Sequence, residues 1–471
     1  MELYQAPSGS NSTASNSSSS TLNVGRDGSG SFSGSFSGSG STLGGRLGST
    51  SSIPGGDSTP ATSPTSVRRP SFFTQISGSS QSSFQSQPTV TRHGRKYIND
   101  ATLPYPLPCD IAELNRQNLR HLLFKEVFGT YYTANFGTNL KKGEIPIPSK
   151  VLDLGCGTGC WSASMADEFA SKFGKKDTEF VGLDLLPIQP DLPGVNFRFV
   201  QHNFLEKSLP FESRSFDMVF LRELTMCIPN NIKLTNILSE CIRVLKPGGV
   251  LEIQCSKLPF PLSPNQRESI TNPPNPTADL TIRSLPRMNT PRLPSSAYYT
   301  EQTTAFNLNP ANRYLQDWNK WITTILTSRE VSTVPCTLVG PSLLMERDSE
   351  NQTLASVTSK RLALPFDEIW WETEQEVETD VESGFGRNKI KNGRRGPLTE
   401  EEKAVRGLAK SNFGKLIESL EPVMREGVGL KVEEWDKWYR EVMSNFVKEG
   451  GLKNGECLEF GAWVAIKSKS G

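Results

Sequence analysis

The sequence predicts an α/β fold built on a mainly parallel sheet with helices on both faces. Between residues 150 and 256, short apolar runs alternate with segments of helical periodicity, and this order of elements gives parallel strands. A glycine-rich turn follows the first strand of this region, and an aspartate ends the second. Both features lie at the carboxyl ends of strands, where sheets of this kind bind their ligands.

The first part of the chain lacks the residues that a core requires. Residues 1–91 are dominated by Ser and Gly, a composition that buries too little apolar surface to offset the entropy of ordering. We therefore predict a disordered tail over this range. Residues 92–149 are predicted to form a helical cover, with its main helix at 110–129. Asp110 can cap that helix, and Glu113 follows three residues later as in a capping box.

The core at residues 150–256 contains five predicted strands, at 151–154, 180–183, 195–200, 216–221 and 250–253. Helices are predicted between them at 161–173 and 232–245. The second helix is stopped by Pro247-Gly248-Gly249, which we interpret as a structural turn.

The regular alternation ends at Ser256. Residues 257–310 are rich in Pro, Asn and Ser and indicate an inserted loop, whereas residues 311–471 complete the domain. The elements predicted in this last part are a helix at 311–328, a strand at 354–363, a charged linker at 372–400, helices at 399–425 and 432–448, and a final strand at 456–467. The sheet would then have seven strands.

Charge and hydropathy exclude several functional classes. The net charge of the 471 residues is +1, which gives no bulk electrostatic reason to expect nucleic acid or an anionic membrane surface as partner. No apolar run approaches the ~20 residues that span a bilayer, and the N-terminus lacks a secretory pattern. No cluster of metal ligands is evident. We expect a cytoplasmic or nuclear protein.

The glycine-rich turn is the strongest chemical signal. Asp153 lies near the end of the first core strand, and the turn after the strand contains Gly155, Cys156, Gly157 and Gly159. Glycines permit a tight turn and a close approach of the backbone to a ligand. The spacing is GxGxG, which differs from the GxGxxG of dinucleotide-binding proteins, and no Gly-Lys-Ser/Thr closes it as in a phosphate-binding loop.

Three further pieces follow at successive strand ends. Asp184 could bind both ribose hydroxyls with its carboxylate; alone it would more often cap a helix, but its place after the glycine turn favours the ligand role. The third strand is followed by His202, Asn203 and Phe204, where an adenine contact and a plain surface turn are equally open. The fourth strand ends with Leu221, Arg222 and Glu223.

Taken together and in this order, these pieces resemble the class I S-adenosylmethionine methyltransferases, and more narrowly the fungal LaeA-like family of secondary-metabolism regulators. Tyr105-Pro106-Leu107-Pro108-Cys109-Asp110 matches that family's opening, and Asp184-Leu185-Leu186-Pro187-Ile188-Gln189-Pro190 matches its second motif. The resemblance covers residues 92–471 and is close over 150–255. It implies a Rossmann-like, seven-stranded fold and S-adenosylmethionine as cofactor.

The resemblance also implies roles by position. The residues implied to hold the amino-acid end of the cofactor are Asp153, Gly155, Gly157 and Gly159, with Cys156 in the same turn. Asp184 would bind the ribose, and the residues implied to lie near the adenine are Leu185, His202, Asn203 and Phe204. Leu221 and Arg222 would border the methionine moiety, and Tyr97 with the 110–129 helix would help to cover the site.

Methyl transfer from a sulfonium depends on orientation, and it requires a general base only when the acceptor must first lose a proton. The candidates for such a base are Glu223, His121, Tyr131 and Tyr132, although His121 fits a packed helix position better. The acceptor could be a small molecule or a protein side chain. Two alternatives stay open: a cofactor-binding regulator with little catalysis that acts through protein partners, and a nicotinamide-dependent oxidoreductase, which the GxGxG spacing disfavours.

Overall fold

The structure is a computed structural model that describes residues 88–100, 102–138, 141, 143–256, 283–284, 297–300, 310–331, 335–373 and 398–469. All of them belong to the second of the two units into which the chain divides, Ser79–Gly471. Most of the predicted tail and of the predicted linker at 372–400 lies outside the described residues. The first strand begins at Thr89, so the predicted boundary of the tail at residue 91 was a few residues too late.

The described chain begins with a hairpin that the sequence analysis did not predict. Strands β1 (Thr89–Arg92) and β2 (Arg95–Ile98) pair antiparallel around a two-residue turn. Helix α1 (Ile111–Phe128) follows, and the Asp110 side chain accepts a hydrogen bond from the Glu113 backbone N–H. The predicted capping box is therefore only half formed, because the Glu113 carboxylate instead accepts from Arg116.

The core elements follow in the predicted order: β3 (Lys150–Leu154), α2 (Cys160–Phe173), β4 (Glu179–Asp184), β5 (Phe197–Gln201), β6 (Phe216–Arg222), α3 (Asn231–Val244) and β7 (Leu245–Ser256). Strand β7 is longer than predicted. Its pairing with β6 shifts between Leu245 and Val250. Pro247-Gly248-Gly249 therefore forms an irregularity inside the strand rather than a turn before it.

The C-terminal elements are β8 (Arg283–Ser284), β9 (Tyr299–Thr300), α4 (Arg313–Ser328), α5 (Pro335–Asp348), β10 (Leu354–Pro365), α6 (Trp370–Thr373), α7 (Glu400–Val428), α8 (Val432–Val447) and β11 (Glu456–Lys467). Helix α5 was not predicted, and Pro341 lies inside it. Strands β8 and β9 fall within the stretch that was predicted to be an inserted loop, and each has two residues.

The strand order is β5-β4-β3-β6-β7-β11-β10-β9, with β8 also paired to β11. The first five strands are parallel, while β11 runs antiparallel to both β7 and β10. Apart from the two-residue strands, this is the predicted seven-stranded, mainly parallel Rossmann-like sheet. The order reverses between β3 and β6, and such a switch point opens a crevice at the carboxyl ends of the strands.

Helices cover both faces of the sheet, as predicted. On β3, Leu152 and Leu154 join the core that holds α3 and α5, whereas Val151 joins the core that holds α2. A third core links α1, α4, α7 and α8 to the β10–β11 end of the sheet, with Trp318 and Phe413 fully or almost fully buried. No helix in the described part of the chain is long and apolar enough to cross a membrane.

Candidate functional site

A cavity of about 220 Å³ lies at the carboxyl ends of β3, β4 and β6 and continues between α1 and α7. Most of the residues predicted to bind the cofactor line it: Asp153, Gly155, Cys156, Gly157, Asp184, Leu185, Asn203, Phe204 and Arg222. The fold thus brings together strand ends that are up to about seventy residues apart, as the switch point of a parallel sheet requires.

The glycine turn has a backbone conformation that side chains disfavour, and it is crowded at Gly155. Gly155, Gly157 and Gly159 have φ angles of 72°, 53° and 73°, a backbone conformation that favours glycine. A Cβ added to Gly155 would lie 2.5 Å from Leu224 Cδ2. Gln189 lies on the segment after β4, and its Nε2 donates to the Gly157 carbonyl at 2.5 Å. This bond links that segment to the glycine turn. The sequence analysis did not single out Gln189, whose only signal was its place in the motif that begins at Asp184.

The Asp184 carboxylate is tied to the same turn. Its oxygens accept hydrogen bonds from the Gly157 N–H at 2.8 Å and from the Leu185 N–H at 2.7 Å. Burial raises the pKa of Asp184 above its ordinary value. A carboxylate offers about four acceptor positions, so the positions that backbone N–H groups leave free can serve hydroxyls of a ligand.

Asp153 lies at the end of the neighbouring strand and is buried. It accepts a hydrogen bond from Ser162 Oγ at 2.8 Å. Burial raises the pKa of Asp153 to about 6, against the opposing influence of Ser162 and Arg222. The acid is therefore largely ionised at neutral pH and able to accept from a cationic donor.

The Arg222 guanidinium lies on the cavity wall and has a hydrogen-bond donor without a partner among the described residues. Its guanidinium carbon lies 5.5 Å from the Phe124 ring centroid and 5.9 Å from that of Phe220. Nη1 is buried and has no hydrogen-bond partner among the described residues. An orphaned buried donor is costly, and a ligand oxygen in the cavity would relieve that cost.

Glu223 lines the cavity but is already engaged. It has a left-handed backbone conformation with φ of 58°. Its carboxylate accepts from the Ser256 backbone N–H at 2.5 Å, from Ser256 Oγ at 2.9 Å and from Arg120 Nε at 3.3 Å. Through these bonds Glu223 links β6 to β7 and α1. Because its carboxylate oxygens already accept three hydrogen bonds, they are poorly available to take a proton from an acceptor.

His121 also lines the cavity. Its ring stacks on Tyr131 with centroids 4.9 Å apart, and Nε2 lies 2.9 Å from Ser164 Oγ. Burial, assisted by Arg222, lowers the pKa of His121 to about 3. The ring is therefore neutral and weakly basic, which fits the packed helix position that the sequence favoured. Tyr131 and Tyr132 are absent from the cavity wall, and Tyr132 Oη accepts from Lys172.

Three other predicted residues do not line the cavity: Gly159, His202 and Leu221. Leu221 lies in the core with α3, because side chains alternate along β6 and its neighbour Arg222 faces the opposite side. The His202 backbone N–H bonds to the Asp184 carbonyl, and its Nε2 is buried without a partner among the described residues. Gly159 is the N-cap residue of α2.

The sequence analysis predicted that the helix at 110–129 would cover the site together with Tyr97, which does not line the cavity, but it did not predict the rest of the far half. Its wall is formed by the segment before α1, by α1 itself and by α7, through Tyr105, Leu107, Arg116, Arg120, Asn412, Phe413 and Leu416. Helix α7 lies over two hundred residues after the glycine turn. The periodicity of its sequence predicts that one face is buried, but it does not indicate which part of the fold that face contacts. Within the described ranges, no group of three or more potential ligand residues could hold a metal ion.

Comparison with known proteins agrees with this geometry. Residues 151–249 match the family described as a methyltransferase domain. The chain is 35% identical over 185 residues to the secondary metabolism regulator laeA of Coprinopsis cinerea, a match that spans 37% of this chain and 43% of that protein. It is 32% identical over 164 residues to the methyltransferase pytC of Aspergillus terreus, which spans 35% of this chain and 45% of that protein.

The chain thus covers less than half of the length of these curated relatives. Among solved structures, the YcgJ protein of a Bacillus species aligns with 75% of this chain and 98% of its own at 12% identity, with a TM-score of 0.31, too low to support an inference. The predicted resemblance to class I S-adenosylmethionine methyltransferases and to the LaeA-like family is confirmed by the domain match and by these relatives.

Proposed function

We propose that this chain binds S-adenosylmethionine in the cavity and transfers its methyl group to an acceptor bound beside it. One observation carries the proposal: the buried Asp184 carboxylate and the unpartnered Arg222 Nη1 lie on the wall of one cavity, beside a turn of three glycines with positive φ. S-adenosylmethionine carries ribose hydroxyls that the Asp184 carboxylate can bind. It also carries a carboxylate that Arg222 Nη1 can bind. The methyltransferase domain match over 151–249 supports the same cofactor.

The residues present fit that cofactor group by group. The free acceptor positions of Asp184 would take the ribose hydroxyls, while Leu185 and Phe204 offer apolar contact to the adenine. Arg222 would pair with the cofactor carboxylate. Asp153, ionised at neutral pH, would accept from the cofactor ammonium.

Bound S-adenosylmethionine supplies a methyl group that is already activated by the sulfonium. The chain's own contribution is then to orient the acceptor and to exclude water, effects that are worth several kcal/mol in well-aligned reactions. The candidates for a general base are poorly placed for it, because Glu223 is held by Ser256 and Arg120 and the pKa of His121 is lowered to about 3. An acceptor that is nucleophilic without first losing a proton fits this site.

A cofactor-binding regulator with little catalysis is the second candidate. It is favoured by the relatives that carry the name secondary metabolism regulator laeA, whereas pytC is named a methyltransferase. Such a regulator would act through protein partners in the cytoplasm or the nucleus. Turnover of a methyl acceptor separates the two candidates, because both bind the cofactor.

The proposed cofactor is tested by calorimetric titration of the purified chain with S-adenosylmethionine and, separately, with NADH. We expect one molecule of S-adenosylmethionine to bind and NADH not to bind. Asp184→Asn should lower the affinity for S-adenosylmethionine by about tenfold or more, because the variant loses one or two hydrogen bonds to a charged group. The matched control is Asp191→Asn, since Asp191 is exposed on the segment after β4. A folded chain that does not bind S-adenosylmethionine would overturn the proposal.

A further inference from the structure

Beyond the glycine turn the cavity continues as an apolar compartment, the acceptor chamber. Its apolar walls are Tyr105, Leu107, Met226, Phe413, Leu416 and Leu458, and Arg116, Arg120 and Asn412 lie beside them. The apolar walls come from the segment before α1, the turn after β6, α7 and β11. Leu107 and Phe413 are each 3% exposed and Leu458 is 7% exposed, so much of the chamber wall consists of packed core residues.

The position of α7 over the chamber is fixed by polar contacts with α1. Asn412 Nδ2 donates to the Arg116 carbonyl at 2.9 Å. Arg120 lies with its guanidinium carbon 5.0 Å from the Phe460 ring centroid on β11. Because these groups are buried and partnered, the chamber is preformed, and its shape and polarity select what enters.

The charges around the chamber pair with one another. Arg116 forms two hydrogen bonds with the Glu113 carboxylate, at 2.7 and 2.8 Å, and Arg120 pairs with Glu223 at 3.3 Å. An acidic or basic acceptor would have to break one of these ion pairs. Separating a buried pair leaves an uncompensated charge, which is strongly unfavourable.

The charge balance of the whole cavity points the same way. Asp153, Asp184 and Glu223 line it, Glu113 pairs with Arg116 behind its wall, and its guanidinium groups are Arg116, Arg120 and Arg222. This is an excess of one negative charge, and S-adenosylmethionine, with its sulfonium, ammonium and carboxylate, carries one net positive charge. The cavity with cofactor is therefore balanced.

The remaining titratable groups do not disturb that balance. Burial raises the pKa of the Cys227 thiol to about 12 and raises that of Cys156 well above its usual range, so both thiols stay protonated and neutral. His121 is neutral because burial lowers its pKa. Nothing on these side chains compensates a charge on a third molecule.

We infer that the methyl acceptor is a small, uncharged and mainly apolar molecule that binds in the acceptor chamber. This inference rests on the proposed function and narrows it, because a protein side chain and a charged metabolite would otherwise be equally acceptable. A side chain on a folded protein is disfavoured as the acceptor, because Leu107, Phe413 and Leu458 in the chamber wall are buried core residues. Among the residues that the structure describes, a charged metabolite finds no unpaired partner beside the cofactor, and burying an unpaired charge is costly.

The test uses two fluorescent probes with one skeleton, the neutral N-phenyl-1-naphthylamine and its anionic relative 1-anilinonaphthalene-8-sulfonate. The full chain is first saturated with S-adenosylhomocysteine, which keeps the probes out of the cofactor part of the cavity. Leu416→Trp fills the chamber, Leu416→Phe fills it less, and Lys415→Trp places the same indole on the exposed face of α7. The affinity of each variant for S-adenosylhomocysteine is measured in parallel and reports folding.

We expect the neutral probe to bind the chain and the Lys415→Trp variant alike. Leu416→Trp should weaken it by about tenfold or more, the range seen when an apolar pocket loses space for a group. The anionic probe should bind at least about tenfold more weakly than the neutral one.

Equal binding of the two probes, or binding of the neutral probe that neither Leu416 variant changes, would overturn the inference. If S-adenosylhomocysteine binds and the neutral probe does not, only the acceptor chamber fails. If S-adenosylhomocysteine itself does not bind the folded chain, the proposed function fails instead.

Discussion

Arg120 Nε donates to Glu223 Oε2 at 3.3 Å and thereby joins α1 to the end of β6 across the wall of the cavity. The Arg120 side chain is 9% exposed and that of Glu223 is 29% exposed. Ser256 on β7 donates two further hydrogen bonds to the same carboxylate. A residue that the sequence suggested as a general base is thus a junction between three elements.

Replacing Glu223 should therefore change stability first. Glu223→Gln leaves Arg120 without its ion-pair partner, and we expect the free energy of unfolding to fall by about 2 kcal/mol, since a charge near the interior loses its counterion. Denaturant titration measures this change, and Glu212→Gln, at an exposed position, is the control. A Glu223→Gln variant of unchanged stability that has lost all methyl transfer would instead identify Glu223 as a base.

The raised pKa of Asp153 predicts a pH dependence of cofactor binding. Burial raises that pKa to about 6, so the free chain carries a protonated Asp153 below this pH and must release the proton to hold the cofactor ammonium. The affinity for S-adenosylmethionine should fall as the pH drops below about 6, by up to tenfold per pH unit. Calorimetry on both sides of that pH measures it.

The control for this dependence is Asp153→Asn, which cannot ionise. It should bind S-adenosylmethionine weakly and with little change across the same pH range. If the variant retains the decline of the native chain, another group is titrating and Asp153 does not contact the ammonium.

The glycine turn offers a matched pair of substitutions. Gly155→Ala would place a Cβ 2.5 Å from Leu224 Cδ2, whereas Gly194→Ala meets nothing within 4 Å. Both residues have positive φ, at 72° and 81°, so both variants carry a similar backbone strain of roughly 1 kcal/mol. We expect only Gly155→Ala to lose S-adenosylmethionine affinity, because only that methyl group displaces the wall of the cavity. Equal loss in the two variants would mean that strain alone is responsible.

Much of the fold could be predicted from periodicity. Strands β3, β4 and β6 are continuous apolar runs bounded by turn signals, which is typical of strands buried on both faces. The hairpin of β1 and β2 escaped notice because Arg92, Arg95 and Lys96 interrupt any apolar alternation. Helix α5 escaped notice because Pro335 and Pro341 are usually helix breakers.

The site could be predicted where it depends on strand ends. Asp184 and Arg222 end parallel strands and Asp153 is the last residue but one of another, and the topology alone brings such residues to one edge of the sheet. Leu221 shows the limit of this reasoning, since a shift of one residue along β6 moves a side chain to the other face. The contribution of α7 depends on long-range packing that no local pattern encodes.

The most direct test of S-adenosylmethionine binding in this cavity examines the contacts to its carboxylate and to its ribose separately. Arg222→Met should lower the affinity for S-adenosylmethionine by roughly ten- to a hundredfold, because it removes a charge-assisted hydrogen bond to the cofactor carboxylate. It should leave 5′-methylthioadenosine, which lacks the amino-acid carboxylate, unaffected. Asp184→Asn should weaken both ligands, because both contain the ribose. Calorimetry that gives this pattern supports the cavity as a site for S-adenosylmethionine, and an Arg222→Met variant that binds both ligands as the native chain does would contradict it.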